Sequence, residues 1–189
     1  MHEKFNKELT YIKNIKIKNS LITMLDLIPE YFYEVPASST GKYHPEFSLG
    51  KGGLLRHTKA AIRIAYELFE NHSVNNFTEH EKDLIIFAIT LHDSLKSGKV
   101  KSDYTKFDHP ILASEFIKEN KDKLQLDEKE LNFACSCIET HMGEWTKDYN
   151  GNEILNPPVD KYQRFVHLCD YLASRKFLDI KFENDDIVL

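Results

Sequence analysis

The sequence predicts an all-α fold, a single bundle of helices carrying an N-terminal helical extension. Three observations predict it. Apolar residues recur at three- and four-residue spacing in segment after segment, the period of a helix with one buried face. Helix starts are written in capping chemistry, at Thr78 with Glu81 and at Asp127 with Glu130, and Pro110 stands where a first helical position tolerates proline. The intervening breaks collect prolines and glycines, as at Pro36 to Pro45, Gly50 to Gly53 and Pro157-Pro158.

A length of 189 residues suits one domain with a sizeable core. No apolar run approaches the roughly 20 residues of a membrane helix, and Met1-His2-Glu3-Lys4 does not open a secretory signal. Cys135, Cys137 and Cys169 lack metal-type spacing and sit in apolar helical patterns, which leads us to expect reduced core thiols in a cytoplasmic protein. The net charge of −5 argues against duplex nucleic acid as a partner, while a small nucleotide or a short single strand stays open. The oligomeric state is open as well.

Residues from about Phe5 to Ile28 read as helix in two pieces, on Ile12, Ile15, Ile22 and Leu25, with Pro29 as the stop. The loop Ser38-Ser39-Thr40-Gly41-Lys42 supplies hydroxyls, backbone amides and a lysine suited to a phosphate, without the order of a P-loop. From Leu54 to Glu70 the stripe His57, Ala61, Ile64, Leu68 places His57 on the core side. Thr78 opens a central helix whose run Leu84 to Leu91 is apolar all round and ends in His92-Asp93. A polar stretch with Lys96, Lys99, Lys101 and Lys106 then leads to His109-Pro110. The helix opened by Asp127 lines up Leu131, Ala134, Ile138 and His141, and the segment from about Val159 to Lys176 lines up Tyr162, Val166, Asp170 and Ala173. The charged residues from Asp179 onward read as a weakly held tail.

Five helices or helix ends thus turn a His or Asp inward: His57, His92 with Asp93, His109, His141 and Asp170. A lone buried imidazole is ordinarily just hydrogen-bonded. Six such groups, each costly to bury without a partner, point to a shared ion. Four imidazoles and two carboxylates suit Mn, Fe, Co, Ni or Zn, and not a hard all-oxygen site.

The ordered set resembles the HD-domain metal-dependent phosphohydrolase superfamily from Gly52 to Arg175. The matching stretches are Gly-Gly-Leu-Leu-Arg-His at 52–57, Leu-His-Asp-Ser-Leu-Lys at 91–96 and His-Leu-Cys-Asp-Tyr-Leu-Ala at 167–173. The resemblance implies an HD-domain helical bundle over residues 51–178. Residues 1–50 then form N-terminal helices and a substrate loop packed on it, and 179–189 the tail. It implies two divalent transition-metal ions, the first held by His57, His92, Asp93 and Asp170. Asp93 bridges to the second, on His109 and His141. Asp93 and Lys96 become the catalytic pair, with Lys42, Arg56, Lys96 and Arg175 around the substrate phosphate.

The implied activity is hydrolysis of a phosphoester, mono- or diester, of a nucleotide or short oligonucleotide by hydroxide activated between two metals. Two other readings use the same ligands: a di-iron oxygenase acting on a small alcohol or phosphonate, and a catalytically silent nucleotide-binding module. No Gly-Tyr-Pro signature follows, and Met142 stands where relatives that degrade cyclic-di-GMP carry a second histidine, which argues against that substrate.

Overall fold

The computed structural model describes residues 1–38, 40–178 and 180–188. Ser39 in the proposed phosphate-holding loop, Asp179 at the start of the expected tail, and Leu189 lie outside the described residues. The helices are α1 (Asn6–Leu9), α2 (Ile15–Leu27), α3 (Gly53–Glu70), α4 (Glu79–Leu91), α5 (His109–Glu119), α6 (Glu128–Glu139) and α7 (Lys161–Ala173).

The axis of the bundle is α4, which packs against α2, α3, α6 and α7. Every residue from Asp83 to Leu91 is buried, as an all-round apolar sequence requires. Its start is a reciprocal capping box between Thr78 and Glu81; the same device starts α6 at Asp127 with Glu130 and α7 at Asp160 with Gln163.

The two-piece N-terminal extension is joined to this core by buried polar contacts. Asp83 on α4 accepts the backbone N–H groups of Lys13 (3.1 Å) and Asn14 (2.7 Å), pinning the turn between α1 and α2. Asn14 then caps α2 through its side chain. After Pro29, the Tyr31 hydroxyl donates to the Gly98 carbonyl (2.7 Å) and accepts from the Ser97 N–H (3.2 Å). The extension therefore braces the turn that follows α4.

Two expectations are corrected at the C-terminal end. Helix α7 stops at Ala173, so Ser174 to Lys176 are not helical. The charged segment beyond is not a loose tail. Strands β1 (Lys181–Glu183) and β2 (Asp186–Val188) pair antiparallel through a two-residue turn, Asn184 (φ 49°) and Asp185 (φ 66°). Asn and Asp tolerate this left-handed backbone, the conformation a tight hairpin needs. The hairpin is held by buried Ile187, by Phe182 against Phe47 (5.1 Å between ring centroids) and by Lys59, whose ammonium meets Asp186 at 2.7 Å.

Candidate metal centre

The six expected groups converge. His57 comes from the first turns of α3, where Gly53 lets the helix start pass close to another strand of chain: a Cβ there would lie 2.1 Å from the Ser48 carbonyl oxygen. His92 and Asp93 leave the end of α4, His109 opens α5, His141 follows α6, and Asp170 lies in the last turn of α7. The five residues other than Asp170 are at most 1 % exposed.

Two halves share Asp93. On one side His57 Nε2 lies 2.9 Å from Asp170 Oδ1 and 3.9 Å from Asp93 Oδ2. His92 Nε2 lies 3.4 Å from each of the same two oxygens. On the other side Asp93 Oδ1 is 2.9 Å from His109 Nε2 and 3.6 Å from His141 Nε2, which are 3.2 Å apart. Ligands at about 2.0–2.2 Å from a tetrahedral cation stand about 3.3 Å from one another, so both halves have the right size.

The imidazoles are oriented for it. His92, His109 and His141 each donate Nδ1–H to the carbonyl three residues earlier, at 2.6, 2.6 and 2.8 Å. That bond fixes the tautomer and turns the lone pair of Nε2 towards the centre, the usual arrangement behind a metal-bound histidine. His92 Nε2 and Asp93 Oδ1 are buried without a hydrogen-bond partner. Orphaned polar atoms of this kind are expensive unless something satisfies them. A divalent cation fits that need: His57, His92 and Asp170, or His92, Asp93 and His141, stand close enough together to hold one, the two groups having His92 in common.

The electrostatics agree. Burial opposes ionisation of Asp93, yet Lys96 and His92 hold its carboxyl well below the usual range. Burial likewise opposes Asp170, which His57 and His92 keep low. Burial works against a charged His92, but Asp93 and Asp170 raise it to about 10. Burial dominates at His141, lowering it to about 4. The two carboxylates thus draw positive charge to the centre, supplied by Lys96 and by a proton on His92 or a cation in its place.

The expected substrate residues scatter. Lys96 stands at the centre, its ammonium hydrogen-bonded to Asp93 Oδ2. Lys42 and Arg175 both lie against the Tyr43 ring, 4.9 and 5.9 Å from its centroid. Arg56 is turned elsewhere, a correction to its expected role. Its guanidinium donates to the carbonyls of Phe47, Leu49 and Lys51 and pairs with Asp185 at 2.8 Å. It ties the loop before α3 to the C-terminal hairpin and lines a separate cavity of about 740 Å³ with Phe47, Ile180 and Phe182.

Two residues outside the expected set contact the site's histidines, and a third packs on one of these two. His44, given no ligand role from sequence, faces His57 with ring centroids 5.6 Å apart, and its Nδ1 is buried and unpartnered. Burial, with His57 and Lys96 nearby, lowers it to about 4. His167 donates Nδ1–H to the carbonyl of His141 (2.7 Å). Trp145 edges the His167 ring at 6.2 Å. In the sequence each sits outside a helical stripe or on its outer face, where periodicity carries no signal.

Cys135, Cys137 and Cys169 are free and buried, and among the described residues no helix is long and apolar enough to cross a membrane. A family model described as HD domain matches residues 54–175, a range containing all six clustered groups. Comparison with curated proteins and with solved structures finds no match.

Proposed function

The chain belongs to the HD-domain family, the metal-dependent phosphohydrolase superfamily, and on that premise we propose that it hydrolyses a phosphoester of a nucleotide or short single-stranded oligonucleotide. The observation that carries this reading is the shared carboxylate: Asp93 presents one oxygen to His109 and His141 and the other to His57 and His92. A single structural ion has no use for a second half-site.

His57, His92, Asp93 and Asp170 would hold one divalent cation, and Asp93, His109 and His141 a second. Bound there, such cations lower the pKa of water to generate a nucleophile near neutral pH and offset charge on phosphoryl oxygens. The protein's own groups do the rest. Asp93 sets the spacing of the two half-sites. The Nδ1–H bonds hold His92, His109 and His141 in their working tautomers without reorganisation during the reaction. Lys96, on the turn after α4, is placed to neutralise charge that develops on the phosphate in the transition state. Burial of the cluster strengthens each of these interactions.

The test is release of inorganic phosphate or nucleoside from a nucleotide panel with Mn, Fe, Co, Ni or Zn after chelation. Activity should require added metal. Lys96→Met should lower kcat by about 100-fold, the scale of a lost transition-state charge contact, while metal content is kept. No metal-dependent hydrolysis across the panel, together with substrate-dependent oxygen uptake by the iron-loaded protein, would transfer the site to oxygenase chemistry.

A further inference from the structure

Aromatic side chains flank the metal-centre residues along the chain, and we infer that Trp145, Tyr171 and Arg175 form a stacking shelf for the nucleobase of the substrate. The inference rests on the hydrolase reading only for where the phosphate lies. Its two rings, and the Tyr43 ring that Arg175 reaches, stand next to residues of the centre along the chain. Trp145 is in the turn four residues past His141, Tyr171 follows Asp170, and Tyr43 precedes His44, which faces His57.

The geometry is that of a built surface. The rings of Trp145 and Tyr171 lie 6.1 Å apart by centroid and only 14° from parallel. The Arg175 guanidinium lies 4.2 Å from the Tyr171 ring and also reaches Tyr43. His167 packs beside both Trp145 and Tyr171, at 6.2 and 6.0 Å. That imidazole is fixed by its bond to the His141 carbonyl and by Gly143, which has φ +68°; a Cβ there would come within 2.2 Å of the ring. The shelf and the metal half-site on His141 therefore share one rigid turn.

These rings are not core. Trp145 is 44 % exposed and Tyr43 57 % exposed, and Tyr43 lies beside Lys42 and Arg175, cations with no carboxylate partner among the described ion pairs. Flat π faces with adjacent cations, next to a site suited to phosphate, match the two halves of a nucleotide. A base stacks on aromatic or guanidinium planes whatever its identity, so the shelf should accept purines and pyrimidines alike.

Trp145 is the only tryptophan of the chain, so its emission reports occupancy directly and independently of turnover. The metal-loaded protein is titrated with AMP, UMP and ribose 5-phosphate, with phosphate release followed in parallel. AMP and UMP should quench the emission saturably, and ribose 5-phosphate should not. Tyr171→Ala and Arg175→Gln, shown by circular dichroism to be folded, should each weaken nucleotide binding about tenfold, and Tyr171→Phe should restore it. Absence of saturable quenching by either nucleotide, or binding of ribose 5-phosphate as tight as that of AMP, overturns the shelf. Quenching without phosphate release, and without hydrolysis of a short oligonucleotide, keeps the shelf and removes the hydrolase reading. Equal hydrolysis of AMP and ribose 5-phosphate without quenching does the reverse.

Discussion

Asp93→Asn separates a shared dinuclear centre from a pair of unrelated buried clusters. The change is isosteric, but an amide keeps one oxygen where the carboxylate had two. Whichever half-site receives the NH₂ group loses a ligand outright, because that nitrogen has no lone pair to give. The other half keeps its oxygen and loses the charge. For the unaltered chain, a cation at about 100 times its Kd stabilises the fold by about 2.7 kcal/mol per site. In a chain of 189 residues, 1 kcal/mol corresponds to roughly 2–4 °C in Tm. One filled site then raises Tm by roughly 5–10 °C, and two by up to about twice that. Asp93→Asn should bind at most one ion and lose more than half of this rise at the same metal concentration. His109→Ala and His141→Ala should also fall from about two ions towards one while the fold persists. Differential scanning fluorimetry after chelation and re-addition of Mn, Co, Ni or Zn reads the stability, and elemental analysis reads the stoichiometry. Unchanged metal content and an unchanged rise in Asp93→Asn would refute the bridging assignment.

Three further outcomes are expected. Gly143→Ala places a Cβ against the His167 ring at a backbone angle that L residues avoid, and should cost about 2 kcal/mol or more; denaturant midpoints check it, and a neutral result would mean that the turn is slack. Tyr31→Phe removes both hydroxyl contacts to Ser97 and Gly98, at about 1–2 kcal/mol, and should lower kcat by loosening the turn that carries Lys96, an effect absent if the extension is a mere appendage. Burial pushes the Cys137 thiol from 9.0 up to about 12. Its contribution to stability is therefore full below about 9 and lost as pH rises towards 12. Iodoacetamide at pH 8.5 should label none of the three cysteines in the native protein and all three in denaturant; native labelling of Cys137 would contradict its burial.

Most of the centre was legible in the sequence because it is built on helices. A His or Asp in phase with an apolar stripe must turn inward, so His57, His141 and Asp170 could be placed before any coordinates. His92-Asp93 stood out by ending an apolar run. Helix starts were legible for the same local reason, since a capping box is contained within four residues. What escaped lies where partners are far apart in sequence. Arg56 looked like a phosphate ligand, but three carbonyls and Asp185, 129 residues away, claim it. The hairpin at 181–188 carries charges suited to a tail, and only its contacts with Lys59, Arg56 and Phe47 make it ordered. His44 lies in a loop without periodicity, so nothing local showed that it faces His57.

The distribution of buried acids explains why the N-terminal extension and the metal centre belong to one design. Helix α4 carries a buried carboxylate near its start, Asp83, and another just past its end, Asp93. The first is satisfied within the chain, by the backbone N–H groups of Lys13 and Asn14. The second has Lys96 on one oxygen and an unsatisfied oxygen facing two imidazoles. A chain able to neutralise a buried acid at one end of a helix, yet leaving one under-satisfied at the other, spends stability at the second end for a purpose. The positioning is local: the apolar body of α4, the Tyr31 brace and the Nδ1–H bonds of His92, His109 and His141 fix where the donors stand.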